Sequence, residues 1–384
     1  MAVPYRYLIC DLLTDTEVAD IEFEQVSYDH RVNVPGVYSG RFPLVSDRLS
    51  NLWDRVMPRD TTDLSSGIGR HILHVIRDDD LWGSYWLWRG KVSQSRGAAP
   101  VAEVQGMSLD GYMQQVEIQA DLAFPGTDQV EIARQLIAHM QSDPRADMGV
   151  ITQPGTSGVL ADFKVALTDK ARYGQKLQEL ANAELGFEYR FNTRLSLGTR
   201  VREFVWGYPK LGQTNTRHDF AQPGNVLDWS EEVDASRGGT RWIAQGDSTS
   251  NDLSLASGPL LSTPAEATAH LAAGWPRTDR TAQYPGVRDL PTLQAYAAYW
   301  AATAPGVTRI HTATVQLPDN PTLTPHLLGD YAALRLVNER YPLTADGVAS
   351  FVHDWRVIGM EIKPPGRGGD IEECTIIFEE STSA

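Results

Sequence analysis

The segment Leu81-Trp82-Gly83-Ser84-Tyr85-Trp86-Leu87-Trp88 constrains the fold more than any other stretch of the chain. In a strand, alternate side chains point to opposite faces. Trp82, Trp86 and Trp88 therefore share one face with Ser84, and Leu81, Tyr85 and Leu87 occupy the other. A strand apolar on both faces is covered on both, as in a barrel wall packed by its neighbours. Arg70–Arg77 predicts a partner strand, and Asp78-Asp79-Asp80 sits where a hairpin turn belongs.

The rest of the N-terminal stretch has the same texture. Asp20–Glu24 alternates apolar and acidic residues, and Val32–Leu44 continues the pattern across Pro35-Gly36. A short helix is predicted from Asp47 to Val56, capped by Ser46 and stopped by Pro58. Val101–Gln105 reads as a strand and Met107–Gln115 as a turn of helix. After Pro125 the period changes. Val130, Ile132, Ala133, Leu136, Ile137 and Met140 form a helical stripe over 128–141, started by Asp128 with Glu131. A second helix is predicted over 169–184, capped by Thr168 and ended by Gly186, with Tyr173, Leu177 and Leu180 inward. Thr263-Pro264-Ala265-Glu266 reads as a capping box opening a helix that stops at Gly274, and Leu290–Thr303 as another helix. Strands are expected at Phe187–Phe191, Arg200–Trp206, Val226–Val233, Thr240–Ala244, Arg309–Leu317, Tyr331–Val337, Ser350–Lys363 and Glu372–Glu379. The order is β, then α+β, then β.

At 384 residues, 42% apolar and 22% charged, the chain has the composition of a globular protein of two to four domains, and not of a disordered one. Its 34 basic and 49 acidic residues give a net charge of −15, which argues against gripping nucleic acid through phosphate contacts. Two cysteines, Cys10 and Cys374, exclude a disulfide scaffold and a cysteine zinc site, and both read as small core residues. Asp11 interrupts the apolar stretch Tyr7–Leu13, so no signal peptide is expected. No run is long enough to span a membrane.

Candidate chemistry is sparse. Gly67-Ile68-Gly69 lacks the third glycine of a nucleotide fingerprint, and Gly155-Thr156-Ser157-Gly158 has the wrong spacing for a nucleophile elbow. His71 and His74, three apart in a strand, point to opposite faces and read as ordinary polar or half-buried histidines. Asp78, Asp79 and Asp80 lack the spacing of a calcium loop. Glu231-Glu232 and Glu372-Glu373 read as solvated strand edges and not as a catalytic pair. Trp82, Trp86 and Trp88 read as core or subunit contact; an exposed strip of three would instead stack on sugar rings. No catalytic, cofactor-binding or metal-binding residue is predicted.

Three stretches carry a resemblance. Tyr5–Leu44, ending "Gly-Val-Tyr-Ser-Gly-Arg-Phe-Pro-Leu", Val101–Gln114 with its strand–Gly–helix, and Leu327–Val337 with its Gly-Asp turn and strand together resemble the tail-hub (baseplate hub) proteins of long-tailed bacteriophages, called minor tail proteins in actinobacterial phages. The resemblance implies a mainly β fold with an α+β insert: two antiparallel β-barrel domains plus smaller inserted or appended α+β domains. It implies a first, tube-facing barrel over 1–118, an inserted α+β domain over 119–210, and a second barrel over 211–384 with a helical insertion at about 262–305. It implies a non-enzymatic virion component of the tail tip, assembled in the host cytoplasm. It further implies a homotrimer that meets the distal tail protein or hexameric tail tube, the tape measure protein and tip or fibre proteins, around a channel through which phage DNA passes. The acidic excess is then expected at least partly on the inner surface of the ring, where it would repel the passing DNA; the alternative is that it only keeps the outer surface soluble. The rival class is a β protein that binds or cleaves cell-surface glycans.

Overall fold

The computed structural model describes residues 3–183, 185–213, 217–246, 258–284, 287, 289–366 and 371–379. Strand makes up 44% and helix 17%, so the fold is mainly β, with one large antiparallel sheet and few helices. The chain divides into two compact units, one of residues 1–228 and 313–377, the other of 229–312 and 378–384.

In the first unit, β1 (Tyr5–Asp11), β2 (Glu17–Asp20), β3 (Glu24–Arg31) and β4 (Val37–Pro43) precede helix α1 (Asp47–Asp54), β5 (His71–Arg77), β6 (Asp80–Ser93) and β7 (Val101–Met107). They pair antiparallel in the order β3-β4-β7-β6-β5-β1-β2. The β5–β6 hairpin turns at Asp78-Asp79, whose φ angles of 49° and 62° are both left-handed. That is the geometry a two-residue hairpin needs, and Asp tolerates it better than most residues. Ser46 caps α1 by accepting from the Leu49 N–H. Gly36 is required by close approach, because a Cβ there would lie 2.3 Å from the Asp29 carbonyl oxygen.

Then come α2 (Leu109–Met113), β8 (Leu122–Asp128), α3 (Gln129–Gln141), β9 (Val150–Thr152), β10 (Leu160–Val165), α4 (Tyr173–Ala181), β11 (Glu188–Ser196) and β12 (Thr199–Gly207). The predicted stripe of α3 is buried throughout, packed against α4, β8 and β10 in the same core cluster as Leu8, Ile72 and Leu81 of the sheet. Six such side chains contribute on the order of 10 kcal/mol of transfer free energy. The helix expected over 169–184 is shorter. Leu167–Asp169 makes one tight turn in which the Asp169 carboxylate accepts from the Ala166 N–H, Lys170 is left-handed, and α4 begins only at Tyr173, so Thr168 caps nothing. Local side-chain bonding satisfies this backbone in place of the helix.

The chain continues through β13 (Arg217–Gln222) and β14 (Val226–Asp234), where it leaves the first unit. The second unit holds β15 (Arg241–Gln245), β16 (Ala265–Glu266), α5 (Thr268–Ala272), β17 (Asp279–Gln283) and α6 (Leu290–Thr303). Here the capping-box reading fails: Ala265 and Glu266 pair as a strand with Trp242 and Arg241, and α5 starts after them. Gly274, with φ 89°, lies just beyond its end. Helix α6 begins at the Asp289 cap and buries Leu293, Ala297 and Ala301. Trp300 stacks on Trp242 at 5.2 Å and Tyr296 on Tyr284 at 4.1 Å.

The chain returns within β18 (Thr308–Gln316) and closes with β19 (Tyr331–Leu336), β20 (Phe351–Lys363) and β21 (Glu373–Phe378). In the first unit β20 pairs with both β3 and β19, joining the C-terminal strands to the N-terminal sheet. Among the described residues, the parallel pairs β9–β12, β13–β19 and β15–β17 interrupt the antiparallel scheme. Gly329 and Gly212 meet back to back: a Cβ on Gly212 would lie 2.1 Å from the Gly329 carbonyl carbon.

Candidate functional site

The chemistry of the first unit is concentrated in buried ion pairs that tie distant segments together. The densest surrounds Asp15, at the tip of the β1–β2 hairpin, where the backbone is left-handed (φ 56°). Arg200 and Arg202 alternate with Val201 on β12 and so point to one face. Arg200 donates to Asp15 Oδ2 at 2.7 Å and Arg202 to Oδ1 at 2.9 Å. His74 on β5 sits between Asp15 Oδ1 (3.0 Å) and Ser84 Oγ (2.6 Å). Arg202 also donates to the carbonyls of Leu12 and Met148, both at 2.7 Å. Burial works to raise the Asp15 carboxyl, but the hydrogen bonds and charges of His74, Arg200 and Arg202 outweigh it and hold it well below the carboxylate range. Burial lowers His74.

Cys10, Asp15 and His74 place potential metal-ligand atoms within 4.8 Å of one another, the one such group among the described residues. The surroundings favour an ion-pair lock over a metal. Burial pushes the Cys10 thiol up to about 12, away from the thiolate a metal needs. Two guanidiniums already neutralise Asp15.

A second lock centres on Glu372, whose side chain is 2% exposed. Arg77 donates to both its oxygens, at 2.5 and 2.9 Å, and the Tyr5 hydroxyl adds a third bond at 2.5 Å. In a third, Arg356 on β20 grips both oxygens of Glu188 on β11 and donates to the carbonyls of Leu211 and Gly329. A fourth has Arg190 donating to the carbonyls of Pro325 and His326. Burial lowers its guanidinium to about 10, still charged at neutral pH.

The residues marked out in the sequence fall as follows. His71 and His74 do point to opposite sides, His71 to Ser66 Oγ at 2.8 Å, yet both are fully buried and not half-buried. Glu372 is a buried lock and not a solvated edge. The Glu231 carboxylate is likewise bridged by Arg309 at 2.5 Å. The three tryptophans do not form one strip: Trp82 is buried with the Arg77 guanidinium 4.5 Å over its ring, and Trp86 donates to the Gly69 carbonyl at 2.7 Å. Trp88 is 40% exposed at a bulge between Leu87 and Arg89 that breaks the alternation. Ser157 and Gly158 donate to Asp128, the cap of α3, a structural duty. Gly67-Ile68-Gly69 leads into β5 as a loop. Sequence reasoning missed Asp15, Glu188, Arg190, Arg200, Arg202 and Arg356. The signal present was Arg200 and Arg202 at i and i+2, two charges on one face of a predicted strand.

No family model and no curated protein matches the chain. Solved structures do. A tail protein from Neisseria meningitidis aligns over 97% of this chain and 96% of its own, with TM-score 0.56 and 12% identity. The 43 kDa tail protein of prophage MuSo2 from Shewanella oneidensis aligns over 98% of each, with TM-score 0.55 and 8% identity. The fold therefore resembles that of phage tail proteins from end to end. Among the described residues, no helix is long and apolar enough to cross a membrane.

Proposed function

We propose that this chain is a structural, non-enzymatic virion protein of a long-tailed phage, of the actinobacterial minor-tail type. In this reading a homotrimer forms the hub ring at the distal end of the tail. The ring joins the distal tail protein or hexameric tail tube to tip and fibre proteins, beside the tape measure protein, and encloses the DNA exit channel. Its divisions are 1–118, 119–210 and 211–384, with the acidic excess displayed at least partly on the inner surface. The supporting observation is the end-to-end likeness to two tail proteins. The buried charges also suit a scaffold: they bond to one another and to backbone carbonyls.

Imaging of the intact particle tests this. Three copies in a ring at the tail tip is the expected result, and one or six copies would refute the hub assignment. Purified chain should leave peptidoglycan and polysaccharide uncut, and soluble sugars should leave its tryptophan emission unchanged. A sugar-dependent change would favour the glycan-binding class instead.

A further inference from the structure

Arg77, Arg202 and Arg356 each hold a carboxylate. Arg190 does not. Among the described residues no acid pairs with it, and it donates instead to the carbonyls of Pro325 and His326, while its Nε is buried with no partner. These bonds fasten a strap of chain, residues 324–328, onto β11. Asn192, two positions along the same strand, adds another: its Oδ1 accepts from His326 Nδ1 at 2.7 Å. An amide oxygen only accepts, so Nδ1 carries the proton and Nε2 is the atom left to take one.

Facing the strap is His30 of β3. Pro325 and Leu328 of the strap, Arg190 and Asn192 of β11, and His30 line one cavity of about 20 Å³. The His30 ring lies 5.9 Å from that of Tyr28 and 6.0 Å from that of Tyr85. Its Nε2 meets the Tyr85 hydroxyl at 3.3 Å, and that hydroxyl already donates to the Asp29 carbonyl at 2.9 Å, so Nε2 donates and Nδ1 is the free base. The nearby acids are engaged elsewhere. Asp29 bonds to Arg31 and to the Val37 N–H, Asp110 to the Ser108 hydroxyl, and Asp80 approaches His326, 3.4 Å from Nε2. Burial, then the charges of His326 and Arg190, push the His30 imidazole down to about 3, and no acid opposes them. Burial also lowers His326, with Arg190 adding to the effect and Asp80 and Glu203 opposing it.

We propose that residues 324–328 form an acid-sensitive strap, closed against His30 at neutral pH and released when acid charges the two imidazoles beside the unpaired Arg190 guanidinium. The closed strap is stabilised only while His30 stays neutral. Released, His30 regains its ordinary 6.5 and takes up a proton, so the closed form loses ground as pH falls from 6.5 toward 3. From those two values, His30 alone raises the ratio of open to closed strap about 25-fold between pH 7 and pH 5. This device goes beyond the hub reading and does not rest on it.

The test is backbone hydrogen exchange on the full chain, read by mass spectrometry with exchange times corrected for the intrinsic effect of pH. The amides of residues 327–329 bond to the Thr324, Pro325 and Val357 carbonyls when the strap is closed. Their protection should fall about 25-fold from pH 7 to pH 5 while the amides of α3 keep theirs. His30→Gln, which cannot titrate, should leave only the smaller fall due to His326. Equal protection of the strap at both pH values, a fall shared by α3, or an equal fall in His30→Gln overturns the proposal. Exchange of the His30 C2 hydrogen in the wild-type chain reads the same titration without a variant: a midpoint well below the ordinary 6.5 is expected, and one near 6.5 overturns the proposal.

Discussion

Asp110, in the first turn of α2, is 4% exposed and has no cation on its carboxylate. Its one side-chain partner is the Ser108 hydroxyl, at 2.5 Å, and that hydroxyl in turn accepts from the Gly36 N–H at 2.8 Å. Burial raises the carboxyl from its ordinary 3.8 to about 6, with the charge of Asp29 adding to the effect. The folded state therefore holds this proton more tightly than the unfolded state. The contribution of Asp110 to stability is fully present below pH 4, where both states are protonated, and is lost as pH rises through about 6. Two pH units of difference amount to about 3 kcal/mol. Asp110→Asn keeps the acceptor for Ser108 and removes the titration. The variant's thermal midpoint relative to wild type should therefore climb by several degrees between pH 4 and pH 7. A difference between the two proteins that is flat across that range would refute the reasoning, because it would mean that Asp110 ionises in the fold as freely as in water.

Three further outcomes follow from the same geometry. Glu372→Gln leaves the Arg77 guanidinium partly buried without a counter-charge and should destabilise the chain by about 3 kcal/mol, read as a drop in thermal midpoint; Glu372→Asp should lose less. Gly36→Ala places a methyl against the Asp29 carbonyl oxygen and should cost about 2 kcal/mol or more, whereas Gly97→Ala, which meets no atom within 4 Å, should cost only the strain of its left-handed backbone. Cys10 and Cys374 are both buried with thiols pushed upward, so neither should react with a thiol reagent at pH 8 until the chain unfolds, when both should.

Local signals in the sequence translated well where the structure is decided locally. The Asp78-Asp79 turn, the Ser46 cap and the α3 stripe each depend on residues within a few positions, and all three formed. Helix α4 and the Thr263–Glu266 segment were misread because nearby competitors took their backbone groups: the Asp169 carboxylate in one case, strand β15 in the other. The locks were illegible for a different reason. Asp15 and Arg200 lie 185 positions apart, and Arg77 and Glu372 lie 295 apart. No periodicity connects such pairs, and a buried glutamate has the same letter as a solvated one. The parallel pairs are hidden likewise, since their partners are separated by whole elements.

What the locks do for the fold follows from their energetics. A buried ion pair seldom adds much net stability, since desolvating both charges offsets most of their attraction. Removing one partner is costly, because the other charge stays behind unpaired. The penalty thus falls on wrong arrangements more than it rewards the right one. Three of the locks in the first unit join segments far apart in the chain: β12 to the β1–β2 hairpin through Asp15, the segment before β21 to β1 and β5 through Glu372, and β20 to β11 through Glu188. A register slip by one residue at any of these seams would turn an arginine to the opposite face and strand a carboxylate in the core. A fold closed by seams this far apart in sequence gains more from such selectivity than from a few extra kcal/mol.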